Sequence, residues 1–112
     1  MKLPNGERAE LGTKLEEYSL NAAHRQGQHK ARVFESVLGI TVANKEILQR
    51  AILDAATHSN EAVAIGDNGF GLTFSLRFSI TTPNGSATVL TAWIVRYNED
   101  FPRLTTCFIV QA

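Results

Sequence analysis

Apolar residues recur at helical spacing through the first half of the chain and alternate with polar ones through the second; the change falls near residue 60. Leu15, Tyr18 and Leu20 form a short apolar stripe beside Thr13-Lys14-Leu15-Glu16. That tetrapeptide fits a capping box, in which the Thr13 hydroxyl and the Glu16 carboxylate each satisfy a free backbone donor. The spacing predicts a two-turn helix over 13–19. A second helix is predicted over 27–38, with Val33, Phe34, Val37 and Leu38 on one face and Gly39 as a left-handed stop. Asn44 is placed to cap a third. There Ile47, Leu48, Ala51, Ile52, Ala55 and Ala56 keep the helical period up to His58-Ser59-Asn60.

Residues 61–65 read as a short strand closed by Gly66-Asp67-Asn68-Gly69. Leu72, Phe74, Leu76, Phe78 and Ile80 then alternate with Thr73, Ser75, Arg77, Ser79 and Thr81, the pattern of a half-buried strand. Pro83-Asn84-Gly85 is a turn, and Asn84-Gly85 favours a tight hairpin into a strand over 86–97. Asn98 to Pro102 turns the chain again into a strand over 103–111. About three N-terminal helices followed by a four-stranded antiparallel meander make an α+β fold. The single domain spans 1–112, with a helical half over 13–58 and a sheet half over 61–111.

The set from Leu72 to Ile80 is the natural surface for the helices to cover. The opposite sheet face is then assigned Ser75, Arg77, Thr91, Trp93 and either Thr105 or Thr106. A tryptophan beside hydroxyls and an arginine suits bases and phosphates. It equally suits an ordinary pleated surface, where threonine and aromatic residues pack well.

Composition narrows the classes. At 112 residues there is room for one core. Lys plus Arg and Asp plus Glu each number 11, so any nucleic-acid partner must be held by a local patch rather than by a global field. Such a patch exists: Arg25, Lys30 and Arg32 lie within 24–32 with no acid among them, although a charge run is also what a solvated helix face looks like. The single cysteine, Cys107, allows no internal disulfide. No apolar run is long enough for a leader or a membrane span, which points to a cytoplasmic protein without a membrane partner.

The candidate chemistry centres on residues 20–34. A helix starting just after His24 and Gly27 aims its free N–H groups and its positive dipole end at whatever His24 and Lys30 surround, a favourable place for phosphate. Lys30 precedes Val33, Phe34 and Val37 by three, four and seven positions, so it sits at the rim of the inward face. It could stabilise an oxyanion, or it could snorkel over apolar surface. His24 has the chemistry of a general acid or base, or of a polar loop residue. His29 points away from Lys30, and His58 suits a helix C-terminus. No cofactor is implied. The His24–His29 spacing is poor for two ligands and no carboxylate or cysteine cluster accompanies it, so no metal site is assigned. Cys107 between Thr106 and Phe108 reads as a packing thiol, and the glycines of 66–71 lead into a strand, not into a phosphate-binding helix.

Lys14-Leu15, Tyr18, Leu20-Asn21, His24, Gly27, Lys30-Ala31 and Phe34 together resemble the signature of an uncharacterised bacterial domain family. Its form is KL-x-x-Y-x-L-N-x-x-H-x-x-G-x-x-K-A-x-x-F. Thr91-Ala92-Trp93 and Phe101-Pro102-x-Leu104-Thr105-Thr106 resemble it too, so the likeness covers nearly the whole chain. Members are similar in being small stand-alone bacterial proteins or the C-terminal tips of polymorphic toxins. The chain departs from the family at Arg25, where a proline is common, and His29 has no counterpart. The layout in turn resembles metal-independent toxin ribonucleases of the barnase, EndoU, colicin and RelE type.

Two function classes follow. In the first, a toxin-type endoribonuclease acts on RNA. His24 is its acid or base, Lys30 stabilises the phosphorane, Thr91 or Thr105 binds phosphate, and Arg25, Arg77 and Trp93 hold substrate; an immunity or antitoxin protein would be the natural partner. In the second, a non-catalytic module docks a small protein partner on its exposed sheet face or edge, with Trp93 as the anchor.

Overall fold

The computed structural model describes residues 1–110; the expected strand end at Gln111 lies outside the described residues, as does Ala112. Three helical stretches precede a four-stranded antiparallel meander, the architecture expected from the period change. The first stretch is a wide π-type turn, Leu15–Ser19, in which the Leu20 N–H reaches back to the Leu15 carbonyl at 2.8 Å. The second starts as α1, Gln28–Val33, and widens into a π-type segment, Phe34–Leu38. Gly39, at φ 68°, stops it, and the Ile40 N–H closes back on the Phe34 carbonyl at 3.2 Å. The third, α2, is Glu46–His58.

Two expected caps differ in detail. Thr13 donates its hydroxyl to Glu17, not Glu16, at 2.7 Å. Glu16 pairs instead with Lys45 at 2.8 Å, tying the first helical stretch to the entry of α2. Asn44 does not cap α2. Its side chain accepts from the Thr41 N–H at 2.7 Å and closes a capping box around a short turn, Val42–Asn44.

The sheet runs β1, Val63–Asp67; β2, Gly71–Thr82; β3, Gly85–Arg96; and β4, Arg103–Val110, in sequential order. Thr82 pairs with Gly85, so Pro83-Asn84 is the two-residue loop, one position earlier than expected. The Thr82 hydroxyl bonds the Leu38 carbonyl at 2.8 Å and docks that hairpin on the end of the second helical stretch.

All three helical stretches cover one sheet face, against β4, β3 and β2 respectively. Leu15, Leu20, Phe34, Leu38, Leu48 and Ile52 meet Phe74, Leu76, Val89, Trp93, Cys107 and Ile109 in one core. The other face is left without a helical layer. Residues 1–11, to which the pattern assigned no element, run along the domain's margin. Gly6 lies so close to Ala56 that an added Cβ would stand 1.8 Å from its carbonyl oxygen. Glu10 bridges Arg103 in parallel, which covers the start of the β4 edge.

Candidate functional site

His24 is the cap of its own turn. Its Nδ1 accepts from the Gln26 N–H at 3.0 Å and the Gly27 N–H at 3.1 Å, the contacts an N-cap side chain makes. The neutral ring therefore carries its proton on Nε2. The His24 carbonyl accepts from the Gln28 N–H at 2.9 Å, and the ring lies 4.2 Å from that of Tyr18. The N–H groups of Gln26, Gly27 and Gln28 are thus already taken, which narrows the free donors expected for an anion at this helix start. Gly27 is required by packing. A Cβ there would stand 2.1 Å from the Tyr18 carbonyl oxygen.

The rest of the 14–34 signature has structural roles as well. Leu15, Leu20, Ala31 and Phe34 are buried, and the Asn21 side chain accepts from the Ala23 N–H at 2.9 Å. Lys30 projects past the β4 edge. Its Nζ donates to the Thr106 hydroxyl at 2.9 Å and lies 5.6 Å from the centre of the Phe108 ring. Of the two threonines left open for the outer sheet face, Thr106 is the one on it, since it pairs with Ala92, and it is also the lysine's neighbour. With His29, Val33 and Ile109, Lys30 and Phe108 line a groove of about 260 Å³.

Cys107, on the buried side of β4, meets the buried Ser19 at the end of the first helical stretch. Burial pushes the Cys107 thiol up to about 11, while the Ser19 hydroxyl and the Lys30 charge act weakly the other way. The Ser19 oxygen has no conventional hydrogen-bond partner. The thiol is a core group, as its neighbours in the sequence suggested.

The face assigned to Thr91 and Trp93 is corrected by strand register. Phe74 pairs with Trp93 and Leu76 with Thr91, so both lie under the helices and not beside Arg77. Trp93 is 1 % exposed and Thr91 0 %. The Trp93 indole N–H donates to the Thr91 hydroxyl at 2.8 Å, and that hydroxyl donates to the Leu76 carbonyl at 2.8 Å. Both polar groups are satisfied inside the core, which is why they can be buried at all. Trp93 therefore cannot anchor an interface in this conformation.

The face without a helical layer carries Thr73, Ser75 and Arg77 on β2, Leu90 and Ala92 on β3, and Thr106 and Phe108 on β4; Ile94 is on the same side but is buried. Thr105 is the extra residue of a bulge, since Ala92 pairs with Thr106 and Trp93 with Leu104. It lines a shallow groove of about 710 Å³ with Phe70, Ile94, Arg96, Tyr97 and Asn98. Arg77 lines a separate one of about 430 Å³ with Glu61, Val63 and Ser75. Arg25 is exposed on the His24 turn. The candidate residues thus divide among a capped turn, a strand edge, the core and two outer grooves. Phe70, Arg96 and Tyr97 were missed, because residues beside turns give no periodic signal. The Tyr97 hydroxyl bonds Asp67, which holds that carboxyl below its usual range and raises the tyrosine.

A signature explained turn by turn, continued by the two late motifs, is a family's mark. The chain belongs to the family named Domain of unknown function (DUF6883). The family model matches residues 2–111, nearly the whole chain, and bears out the likeness to an uncharacterised domain family. No curated protein matches the chain. Among the described residues of this DUF6883 chain, no helix is long and apolar enough to cross a membrane.

Proposed function

We propose that this DUF6883 domain is a non-catalytic binding module whose uncovered sheet face docks a protein partner. The observation that carries the reading is the one-sided helical layer. It leaves Leu90, Ala92 and Phe108 on an open face, framed by Arg77, Arg96 and Lys30. An apolar centre with a polar, partly cationic rim is the anatomy of a protein interface. Support also comes from the groups a ribonuclease would need. Thr91 spends its hydroxyl on the core, and His24 spends Nδ1 on its own backbone.

The test pairs two measurements. A photo-crosslinking residue placed at Leu90 should capture a discrete protein partner in cells that make the protein naturally. The same residue at Glu46, on α2, should capture none. Alongside, wild-type expression should leave cellular RNA without new 2′,3′-cyclic phosphate ends. New ends lost in His24→Ala and Lys30→Ala would overturn the module reading and restore the ribonuclease.

A further inference from the structure

The two edges of the sheet are treated differently. The β4 edge is covered at its start by residues 9–11, through Glu10 N–H to the Pro102 carbonyl at 2.9 Å and Leu104 N–H to the Glu10 carbonyl at 2.9 Å. Further along, Lys30 lays its ammonium beside Thr106. An edge lysine of this kind opposes strand addition. The β1 edge has only a bulge at Ile65, between Ala64 and Gly66. Met1 covers that edge as far as Ala62, whose N–H meets the Met1 carbonyl at 2.9 Å. From Val63 to Asp67 every residue is exposed, and none is lysine, arginine or proline.

The same end of the molecule gathers the exposed apolar side chains. Val63, Ile65, Phe70, Leu72 and Tyr97 are 55, 65, 73, 52 and 63 % exposed. Strand pairing holds them together: Asp67 faces Leu72, and the Tyr97 N–H bonds the Phe70 carbonyl at 3.2 Å. Val63 pairs with Ser75 whereas Leu72 shares the face of Phe74, so the five flank the β1 edge on both faces of the sheet. At these exposures they offer roughly 500 Å² of apolar surface to an edge-to-edge partner. A stable interface of ordinary size needs about 800 Å² a side, about 60 % of it apolar. One copy of this patch is therefore about what each half of a dimer requires.

We infer that β1 pairs antiparallel with β1 of a second copy of this chain, joining two four-stranded sheets across a two-fold axis. The inference stands apart from the proposed docking on the open face. An unpaired strand is completed only by another extended backbone, and a two-fold interface needs one patch that complements itself. Antiparallel pairing centred near Ile65 sets Asp67 of each copy beside the uncharged start of the other's β1. Glu61 falls beside the uncharged Asn68-Gly69 turn, so no like charges meet. The formal net charge is zero, so the copies do not repel each other at long range.

Sedimentation equilibrium tests this on the full chain. Wild type is expected at twice the 12.3 kDa chain mass over the micromolar range. Ile65→Lys places a cation on the open edge and should return the mass of one chain. Leu53→Lys, on exposed α2, should remain at the dimer mass. Phe70→Lys provides a second disrupting variant at a turn, with circular dichroism confirming that each variant is folded. A wild-type chain that stays monomeric up to about 200 µM overturns the inference, as do folded Ile65→Lys and Phe70→Lys chains that remain dimeric.

Discussion

At the scale of single residues, one histidine separates two accounts of the signature. A catalytic His24 is irreplaceable, whereas a capping His24 can be replaced by a better cap. Loss of both contacts to the Gln26 and Gly27 N–H groups in His24→Ala should cost about 1 kcal/mol of folding stability. His24→Asn offers a carbonyl oxygen to the same donors and should recover most of that loss in urea denaturation. An asparagine variant no more stable than the alanine variant would show that the ring does something other than cap. The signature itself was legible in the sequence, but its purpose was not. A side chain that bonds its own backbone and one that bonds a substrate are the same residue type at the same spacing. Nothing in Tyr18, Asn21 or His24 alone says that their partners lie within eight residues along the chain.

At the scale of elements, the sequence revealed order and type, and misjudged faces. Helices before strands followed from the period change near residue 60. In β3, however, Leu90, Ala92 and Ile94 are as apolar as Val89, Thr91 and Trp93, so alternation named two faces without saying which was inside. The pairing of Phe74 with Trp93 decides it, and that pairing depends on where the Pro83-Asn84 loop closes. Close approach between elements was equally hidden. Gly27 looked like a helix-start glycine, yet its use is to let α1 seat against the Leu15–Ser19 turn. Gly27→Ala should lower stability by about 1–3 kcal/mol through overpacking, while Gly12→Ala, where open space surrounds the position, should cost less despite its φ of 58°. Equal losses in thermal unfolding would remove this explanation of the glycine.

At the scale of the whole molecule, the layer between helices and sheet holds a titratable group, Cys107, whose burial makes stability fall on the alkaline side. The folded Cys107 thiol ionises at about 11, against an ordinary value of 9.0. Below pH 9 the thiol is protonated in both states and contributes no pH dependence. Between about 9 and 11 the unfolded chain ionises first, so folding stability falls as pH rises, by roughly 2–3 kcal/mol in total. Cys107→Ala should lose this part of the alkaline decline, read as the difference between the two stability-against-pH curves. At the acid end, Lys45 holds the Glu16 carboxyl below its usual range. That pair supports the fold at neutral pH, and its contribution is lost as pH falls through the lowered value. Glu16→Gln should flatten the acid limb. Parallel curves for wild type and variant would count against either assignment.

The buried indole has a practical consequence. Trp93 is the chain's only tryptophan, and its N–H is held by Thr91 inside the core, away from both the open face and the β1 edge. Its fluorescence is therefore an optical gauge of the interior alone. Native emission should be blue-shifted and insensitive to quenchers dissolved in the buffer. A surface variant that loses its partner with an unchanged spectrum has lost recognition; one whose spectrum moves to the red has lost its shape. The chain thus comes with an internal control for mutational scans of its surface, with no label to attach.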